Sequence, residues 1–411
     1  MALLTASCAT APNVPPSITW TRHASHSSVL GAARQYLVAL PAGYQTSTDR
    51  YPVLLILDAE DEPMFVAALA AVRYLEDRTE IPPLIVVGIP NGPDRTHDLT
   101  PGSVDAFTKR QSPTAGGADQ FLTFLTDELI PALRTRYRTR PLTVLAGHSH
   151  GGLFGIHAAA TRPGSFDATI AMSPSVWRLD SLARKQYVAA LAARSTPHRL
   201  FVTSGGFEPN IDGPVVEFVT ALDGSPKPLL SFGHARYERD DHLLTPLSSF
   251  ADGLRFVFQP VSLAGASFNL LASQALTARM AASPRAPQLP DSAALLAAVD
   301  LDARRYAEGA RALGLPERLP ESVLREWGFA TMSWGLAQPA AAVPIFQRNV
   351  QMYPRSASAY GNLGDALLQR GDTAGARAQF RQAIAIARET RDTTGTALAA
   401  KLRDLDTPRP R

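Results

Sequence analysis

A serine flanked by glycines constrains the fold of this chain more than any other feature. Residues 147–151 read Gly-His-Ser-His-Gly, follow the apolar run Leu142–Ala146 and open a stretch of small residues typical of a helix. A serine held between a strand and a helix needs a sharp turn with little side-chain bulk on either side, which glycine supplies. The sequence therefore predicts a strand, a tight turn and a helix, with Ser149 exposed at the turn.

Short apolar runs alternate with helical patterns from about residue 17 to residue 260. Val53–Leu57 and Leu84–Gly88 are continuously apolar, which is typical of strands buried on both faces of a parallel sheet. Asp119–Arg138 has leucines at helical spacing, and Pro131 is expected to kink that helix. The pattern predicts an α/β domain over residues 17–260, with a mostly parallel sheet between two layers of helices. The candidate strands are Ile18–Thr21, Arg34–Ala39, Pro52–Leu57, Leu84–Ile89, Leu142–Ala146, Ala168–Met172, Leu200–Thr203 and Ala235–Glu238.

The last third of the chain is predicted to be entirely helical. Residues 261–320, rich in Ala, Leu and Pro, are interpreted as a helical connector, and residues 396–411 as a tail. Between them, 321–395 contains a repeat of 34 residues, and its second copy resembles a tetratricopeptide repeat, in which small residues let two helices pack closely. Two roles are open for these repeats: they could form a groove that binds a protein partner, or a structural cap. The repeated pairs are Ala330/Gly364, Ala337/Gly371, Ala342/Ala376 and Phe346/Phe380.

Composition argues against several classes of protein. The net charge is +3 and the basic residues are scattered, so neither nucleic acid nor an anionic membrane is expected as the main partner. No apolar run reaches the roughly 18 residues of a membrane-spanning helix. With Cys8 as the only cysteine, the chain has no internal disulfide and no thiol metal cluster.

The N-terminal segment, residues 1–16, resembles part of a localisation signal. Small residues precede Cys8, as they do at the end of a bacterial lipoprotein signal, although the charged region and most of the apolar region of such a signal are missing. This pattern predicts an extracytoplasmic protein anchored through a lipid on Cys8. An incidental cysteine and a cytoplasmic location remain open.

A serine hydroxyl becomes nucleophilic beside a base, and the base needs an orienting carboxylate. In the fold predicted here the chain order is serine, acid, histidine. Of the histidines that follow, His157 lies inside a helix and His198 precedes a strand, so both are expected to be structural. His242 begins a loop after the last predicted strand and is the expected base, with His234 as the alternative.

The acid and the oxyanion donors are predicted from loops that follow strands. Glu208 ends a glycine turn after the strand at 200–203 and is the first choice, while Asp212 and Glu217 remain open. Two backbone amides should stabilise the oxyanion. One is that of His150, and the other is that of Ala59 or Glu60, in the loop after Val53–Leu57.

Together these residues resemble the putative-esterase family of α/β-hydrolases, which includes enterochelin and related siderophore esterases, S-formylglutathione hydrolase, feruloyl esterases and mycolyltransferases. The resemblance spans roughly residues 17–258 and is carried by residues 51–58, 121–131, 147–154 and 173–177, and by His242 with 252–256. It implies an α/β-hydrolase fold with no metal or organic cofactor. His150 and Ala59 depart from the residues common in the family.

The resemblance also implies a function. It predicts a carboxylic ester hydrolase that works through an acyl-enzyme on a small-molecule ester, possible substrates being of the siderophore type, with Arg95 and Trp177 as substrate-binding residues. Two alternatives remain: an acyltransferase of the same fold, and a catalytically inert scaffold that acts through the helical repeats.

Overall fold

The computed structural model describes residues 18–45, 47–281, 291–334, 336–390 and 392–406. Its centre is one eight-stranded sheet with the order β1-β2-β4-β3-β5-β6-β7-β8. The β1–β2 and β2–β4 pairs are antiparallel, and the other neighbours, from β4 to β8, run parallel. The predicted lipid anchor at Cys8 lies outside the described residues. The strands are β1 Thr21–Ser27, β2 Ala32–Ala39, β3 Tyr51–Leu57, β4 Ile85–Ile89, β5 Thr139–His148, β6 Ala168–Met172, β7 His198–Gly205 and β8 Leu230–Tyr237.

Helices cover both faces of this sheet, which is the α/β-hydrolase architecture that the sequence predicts. They are α1 Glu62–Asp77, α2 Arg95–Leu99, α3 Ala106–Gln111, α4 Ala118–Thr123, α5 Ile130–Arg136, α6 His150–Thr161, α7 Ser181–Ala192, α8 Pro209–Asp223 and α9 Thr245–Phe258. A π-helical segment, Phe124–Leu129, joins α4 to α5 one turn before the predicted kink. Pro131 has no N–H to continue the ladder there, so the hydrogen bonds of the preceding turn shift.

Burial explains which strands could be located from sequence. Every residue of β3, β4 and β6 is buried, because helices cover both faces, and these strands lie within a residue of their predicted bounds. The two edge strands lie elsewhere than predicted. β1 begins at Thr21, where the prediction ends, and β8 begins five residues before Ala235. Each has one neighbour and a largely exposed face, so neither carries a continuous apolar run.

The rest of the chain is a C-terminal helical region. Its helices are α10 Ser267–Ala281, α11 Ser292–Ala312, α12 Glu321–Phe329, α13 Pro339–Met352, α14 Ala357–Gln369, α15 Thr373–Thr390 and α16 Thr394–Asp406. The segment 396–411, predicted as a tail, therefore contains most of α16. No helix among the described residues is both long and apolar enough to cross a bilayer.

Two helical hairpins in this region make similar contacts between a phenylalanine and a glycine. Phe346 packs where a side chain on Gly328 would lie, and Phe380 packs in the same way against Gly364. A π-helical segment, Ala330–Trp334, adds residues to the first hairpin, so these two contacts differ in spacing. The repeated positions Ala337 and Gly371 both have left-handed backbone, with φ of 51° and 91°, at the turns between helices.

The helical region packs at the amino ends of the parallel strands. The Leu263 amide donates to the Thr79 carbonyl at 3.2 Å, and Arg318 lies 3.4 Å from Asp49, just before β3. A side chain on Gly309 would collide with the carbonyl of Pro260, so α11 lies directly against the end of the hydrolase part. Buried side chains of both parts form one continuous apolar cluster.

Candidate active site

Ser149 occupies a strained turn between β5 and α6. Its φ of 58° and ψ of −114° are rarely adopted by a residue with a side chain, at a cost on the order of 1–3 kcal/mol. Its amide donates to the Met172 carbonyl at 2.9 Å. A Cβ on Gly147 would lie 2.4 Å from the carbonyl of Gly151, so the flanking glycines are required by space. The predicted elbow has this geometry.

The Ser149 hydroxyl lies against the loop that follows β6. Its Oγ is 3.1 Å from Ser175 Oγ, and the Ser175 amide donates to the Ser149 carbonyl at 3.0 Å. Among the described residues, the hydrogen-bond partner of this hydroxyl is Ser175 rather than a histidine.

Glu208 is a fully buried carboxylate that faces His242. It follows β7 at the start of α8, and its Oε2 accepts from His242 Nδ1 at 3.1 Å. Ser173 and Thr245 hydroxyls donate to Oε1 at 2.8 and 2.5 Å. Burial raises the pKa of Glu208, but the hydrogen bonds from His242, Thr245 and Ser173 outweigh it and hold the pKa below its ordinary value. Glu208 is therefore an ionised acceptor.

The other two acids that the sequence left open point elsewhere. Asp212 accepts from Ser204 at 2.8 Å and from Arg236 at 2.9 Å. Glu217 is largely exposed and lies 3.6 Å from Arg184. The structure thus brings Glu208, rather than Asp212 or Glu217, to His242.

The other histidines have separate environments. His157 lies between Tyr187 and Asp119, and His198 bonds to the Phe166 carbonyl and Thr169, so both are tied into buried networks. The alternative base His234 lies inside β8 rather than in a loop.

His148, which the sequence analysis did not single out, packs its ring against His242. The ring centroids are 4.3 Å apart, and His148 is one residue before the nucleophile candidate. Burial, and next the proximity of His242, lower the pKa of His148 to about 4. The ring is therefore neutral at physiological pH and adds no charge beside the base.

Two amides in the loop after β3, those of Ala59 and Glu60, were left open as the second oxyanion donor. The Ala59 amide donates to the Ile89 carbonyl at 3.2 Å and the Asp61 amide to the Asp58 carbonyl at 3.1 Å. Among the described residues the Glu60 amide has no acceptor, so of the two donors left open it is the available one. The His150 amide is the first of α6 and is free in the same way.

Arg95 connects the loop after β3 to the elbow. Its Nε and Nη2 donate to Asp58 at 2.5 and 2.8 Å, and Nη2 also donates to the His148 carbonyl at 3.2 Å. Asn91 donates to the same Asp58 carboxylate at 2.7 Å. Arg95, predicted as a substrate contact, therefore lies in an ion pair that fixes one loop against the other.

Trp177 lies in the short helix Val176–Arg178, directly after Ser175. Its ring is partly buried beneath the Arg178 guanidinium, 4.4 Å from the ring centroid, and its Nε1 is buried without a hydrogen-bond partner among the described residues. Arg178 and Thr245 were not singled out from the sequence, and Ser173 was noted only as part of the segment 173–177 that resembles the family. The contacts of all three depend on elements that meet only in the fold.

The family model described as "Putative esterase" matches residues 27–212, which include the elbow and Glu208. This part of the chain is similar to the putative-esterase family. A relative, the siderophore enterobactin esterase of Emericella nidulans, is 35% identical over 127 residues, which are 28% of this chain and 42% of the relative. Across the curated relatives matched, the aligned part spans 27–60% of each protein.

Solved structures show a likeness in fold. The IroE-like serine hydrolase from Shewanella oneidensis has a TM-score of 0.56 at 24% identity, covering 73% of this chain and 96% of that structure. An uncharacterised protein from Capnocytophaga ochracea has a TM-score of 0.57 at 17% identity, covering 94% and 99%. The second match includes the helical region, so the two-part architecture has a counterpart in a solved structure.

Proposed function

We propose that this protein is a serine carboxylic ester hydrolase that works through an acyl-enzyme. The observation that carries the proposal is the buried, ionised Glu208 bonded to His242 beside a strained, glycine-flanked Ser149. A carboxylate on Nδ1 fixes the imidazole tautomer that presents Nε2 as a base. Similarity to the putative-esterase family supports the same reaction class.

In the proposed reaction, Ser149 Oγ attacks the ester carbonyl and its proton passes to His242 Nε2. The amides of His150 and Glu60 hold the oxyanion, and the alcohol leaves with the proton from His242. Water then attacks the acyl-enzyme with His242 as base, which releases the acid and restores Ser149. The serine hydroxyl exchanges Ser175 for His242 as its partner when substrate binds.

The substrates we propose are small esters of the siderophore type. The support is the name of the enterobactin esterase to which this chain is similar. A panel of siderophore, feruloyl, acetyl and short aryl esters tests this class, and turnover confined to simple aryl esters would contradict it. Adding an acceptor alcohol tests the acyltransferase alternative, which predicts a new ester in place of the free acid.

Ser149→Ala is expected to abolish labelling by a fluorophosphonate probe and to lower kcat by about 10³-fold or more, since only binding and oxyanion effects remain. Ser181→Ala, at an exposed serine on α7, is the matched control and should label and turn over normally. If Ser149→Ala is folded by circular dichroism and keeps near-normal turnover, Ser149 is not the nucleophile. An unlabelled wild type would leave the inert scaffold as the better account.

For the helical region we propose the role of a cap. It lies at the opposite end of the sheet from Ser149 and shares an apolar cluster with the hydrolase part. Capture of a partner by the repeats, and an extracytoplasmic location through Cys8, remain predictions from sequence. Incorporation of labelled palmitate by wild type and not by Cys8→Ala would support the second.

A further inference from the structure

Buried nitrogen atoms without hydrogen-bond partners gather around Ser149. They are His148 Nε2 and His150 Nδ1 on either side of it, and Trp177 Nε1 and Arg178 Nε in the short helix after Ser175. An unsatisfied buried polar group costs about 1–3 kcal/mol, so such groups are rare where they serve no purpose. The Trp and Arg nitrogens can only donate, which means that the missing partner is an acceptor.

Arg178 differs from its neighbour Arg95 in having no carboxylate within ion-pair distance among the described residues. Its Nη1 donates to Thr108 Oγ1 at 3.3 Å, a neutral partner. The acid nearest in the fold, Asp105, instead caps α3 by accepting from the Thr108 amide at 2.6 Å. Burial lowers the pKa of Arg178 and outweighs the opposing attraction of Asp105, so the guanidinium is a partly desolvated cation with no direct ion pair among the described residues.

The position of Arg178 is rigid relative to the nucleophile. Its amide donates to the Ser175 carbonyl at 3.0 Å, and its carbonyl accepts from the Asp105 amide at 2.7 Å. Val104 and Leu179 form a β-bridge beside it. Because Ser175 contacts Ser149 directly, the backbone of Arg178 is held one 3₁₀ turn from the residue that bonds to the candidate nucleophile.

The pKa of His150 indicates a positive electrostatic potential beside Arg178. After burial, the charges of Arg95 and Arg178 are the main reasons that the pKa of His150 falls to about 3, and they exceed the opposing effect of Asp58. The His150 ring is neutral, so it is a hydrogen-bonding group rather than a second charge. A partly desolvated cation with neutral donors around it is a site for an oxygen anion.

We propose that Arg178, with Trp177 and His150, forms a subsite that binds an anionic oxygen group of the substrate, so that the enzyme selects esters carrying a carboxylate, phenolate or similar anion close to the scissile bond. This inference rests on the hydrolase function proposed above. Arg178 is a specificity residue and takes no part in proton transfer.

The test compares matched esters that differ in one charge. Nitrophenyl hydrogen succinate and its methyl ester differ on the acyl side, and acetoxybenzoate and its methyl ester differ on the alcohol side. For wild type we expect kcat/KM to favour the anionic ester of one pair by about 10- to 100-fold, the range of a charge-assisted hydrogen bond. The pair that responds identifies which half of the substrate carries the anion.

Arg178→Gln should lose that preference, measured as the ratio of kcat/KM within each pair of esters, and Arg178→Lys should restore part of it. Arg184→Gln removes the same charge from α7, beyond the subsite, and should keep the preference. The wild-type preference should also shrink as salt rises, which tests the charge without any substitution.

The inference would be overturned by any of the following results. Ser149-dependent turnover of neutral esters with no preference for either anion leaves the hydrolase standing and removes the subsite. A preference that Arg178→Gln retains, or that salt does not change, assigns it to another group. If wild type hydrolyses no ester and takes no fluorophosphonate, the hydrolase proposal fails and the subsite fails with it.

Discussion

Glu208 keeps its charge in a place where burial alone would remove it. Its donors come from three separate elements: Ser173 from the loop after β6, Thr245 from the start of α9, and His242 from the loop between β8 and α9. Together they satisfy a carboxylate that has no exposed surface. The cost of desolvating Glu208 is thus offset by groups that also fix the position of the candidate base.

Exchanging the carboxylate for an amide should therefore damage catalysis more than structure. Glu208→Gln is expected to lower kcat by about 10²- to 10⁴-fold with little change in KM, because the histidine loses its orienting partner and the charge that stabilises its protonated form. Asp212→Asn is the matched control, since its carboxylate bonds to Arg236. Steady-state kinetics on one aryl ester measures both, and a larger loss in Asp212→Asn would reassign the acid.

Local sequence signals named candidate residues, whereas contacts between distant segments left no such signal. Ser149 and His242 were named from motif and chain order, and the structure brings their elements together. The acid stayed open among three carboxylates because the choice depends on which hydroxyls the fold brings to each. Arg178 was not identified from the sequence. Its position beside the site depends on a β-bridge between Val104 and Leu179, which lie far apart along the chain.

Among the elements, β7 carries a histidine whose environment makes part of the stability depend on pH. His198 lies at its first position, with Nδ1 3.0 Å from the Phe166 carbonyl and Nε2 3.1 Å from Thr169 Oγ1. Burial, followed by the nearby charge of Arg194, lowers the pKa of His198 from 6.5 to about 3. The unfolded chain therefore takes up this proton at a higher pH than the folded protein does.

The direction in which stability changes with pH follows from the linkage between proton binding and folding. Between about pH 6.5 and pH 3 the unfolded state binds more protons, so stability is complete above this window and declines as the pH falls through it. His198 should account for a loss of about 2 kcal/mol between pH 7 and pH 5. Urea unfolding of wild type and His198→Gln at both pH values measures this loss. The variant should show a correspondingly smaller decline, and equal declines would contradict the assignment.

The same elements show how far pattern predicts secondary structure. β3, β4 and β6 were located from apolar runs because both of their faces are buried. β1 and β8 were misplaced because an edge strand with one solvated face has no such run. The helical repeat was visible from its spacing of 34 residues, but the π-helical segment at Ala330–Trp334, which shifts one hairpin, was not.

At the scale of the whole molecule, the site and the helical region lie at opposite ends of one sheet. Asp58, Ser149 and Glu208 follow the carboxyl ends of β3, β5 and β7, whereas Asp49 and Thr79 meet the helical region before β3 and β4 begin. Buried side chains such as Phe268, Val299 and Trp327 continue the core beneath α1 and α9. This placement supports the proposal that the region stabilises the fold and takes no part in the chemistry.

Ending the chain after residue 260 should therefore separate these two properties. Every group proposed for catalysis remains, so turnover of a small aryl ester per fluorophosphonate-titrated site should stay within about threefold of wild type. Loss of the apolar partners should lower the melting temperature and solubility, since burial of such side chains contributes about 25 cal/mol per Å².

A single substitution in the full chain tests the same separation without removing any helix. Phe268 is fully buried and stacks on Trp327 with ring centroids 4.8 Å apart, so Phe268→Ala should cost about 3–5 kcal/mol of unfolding free energy. Because this contact lies at the amino ends of the strands, kcat measured well below the melting temperature should not change. If titrated, folded Phe268→Ala and the truncated chain both lost most of their turnover, the helical region would have to shape the active site across the whole depth of the sheet, and the cap would be replaced by an element that controls the position of the catalytic loops.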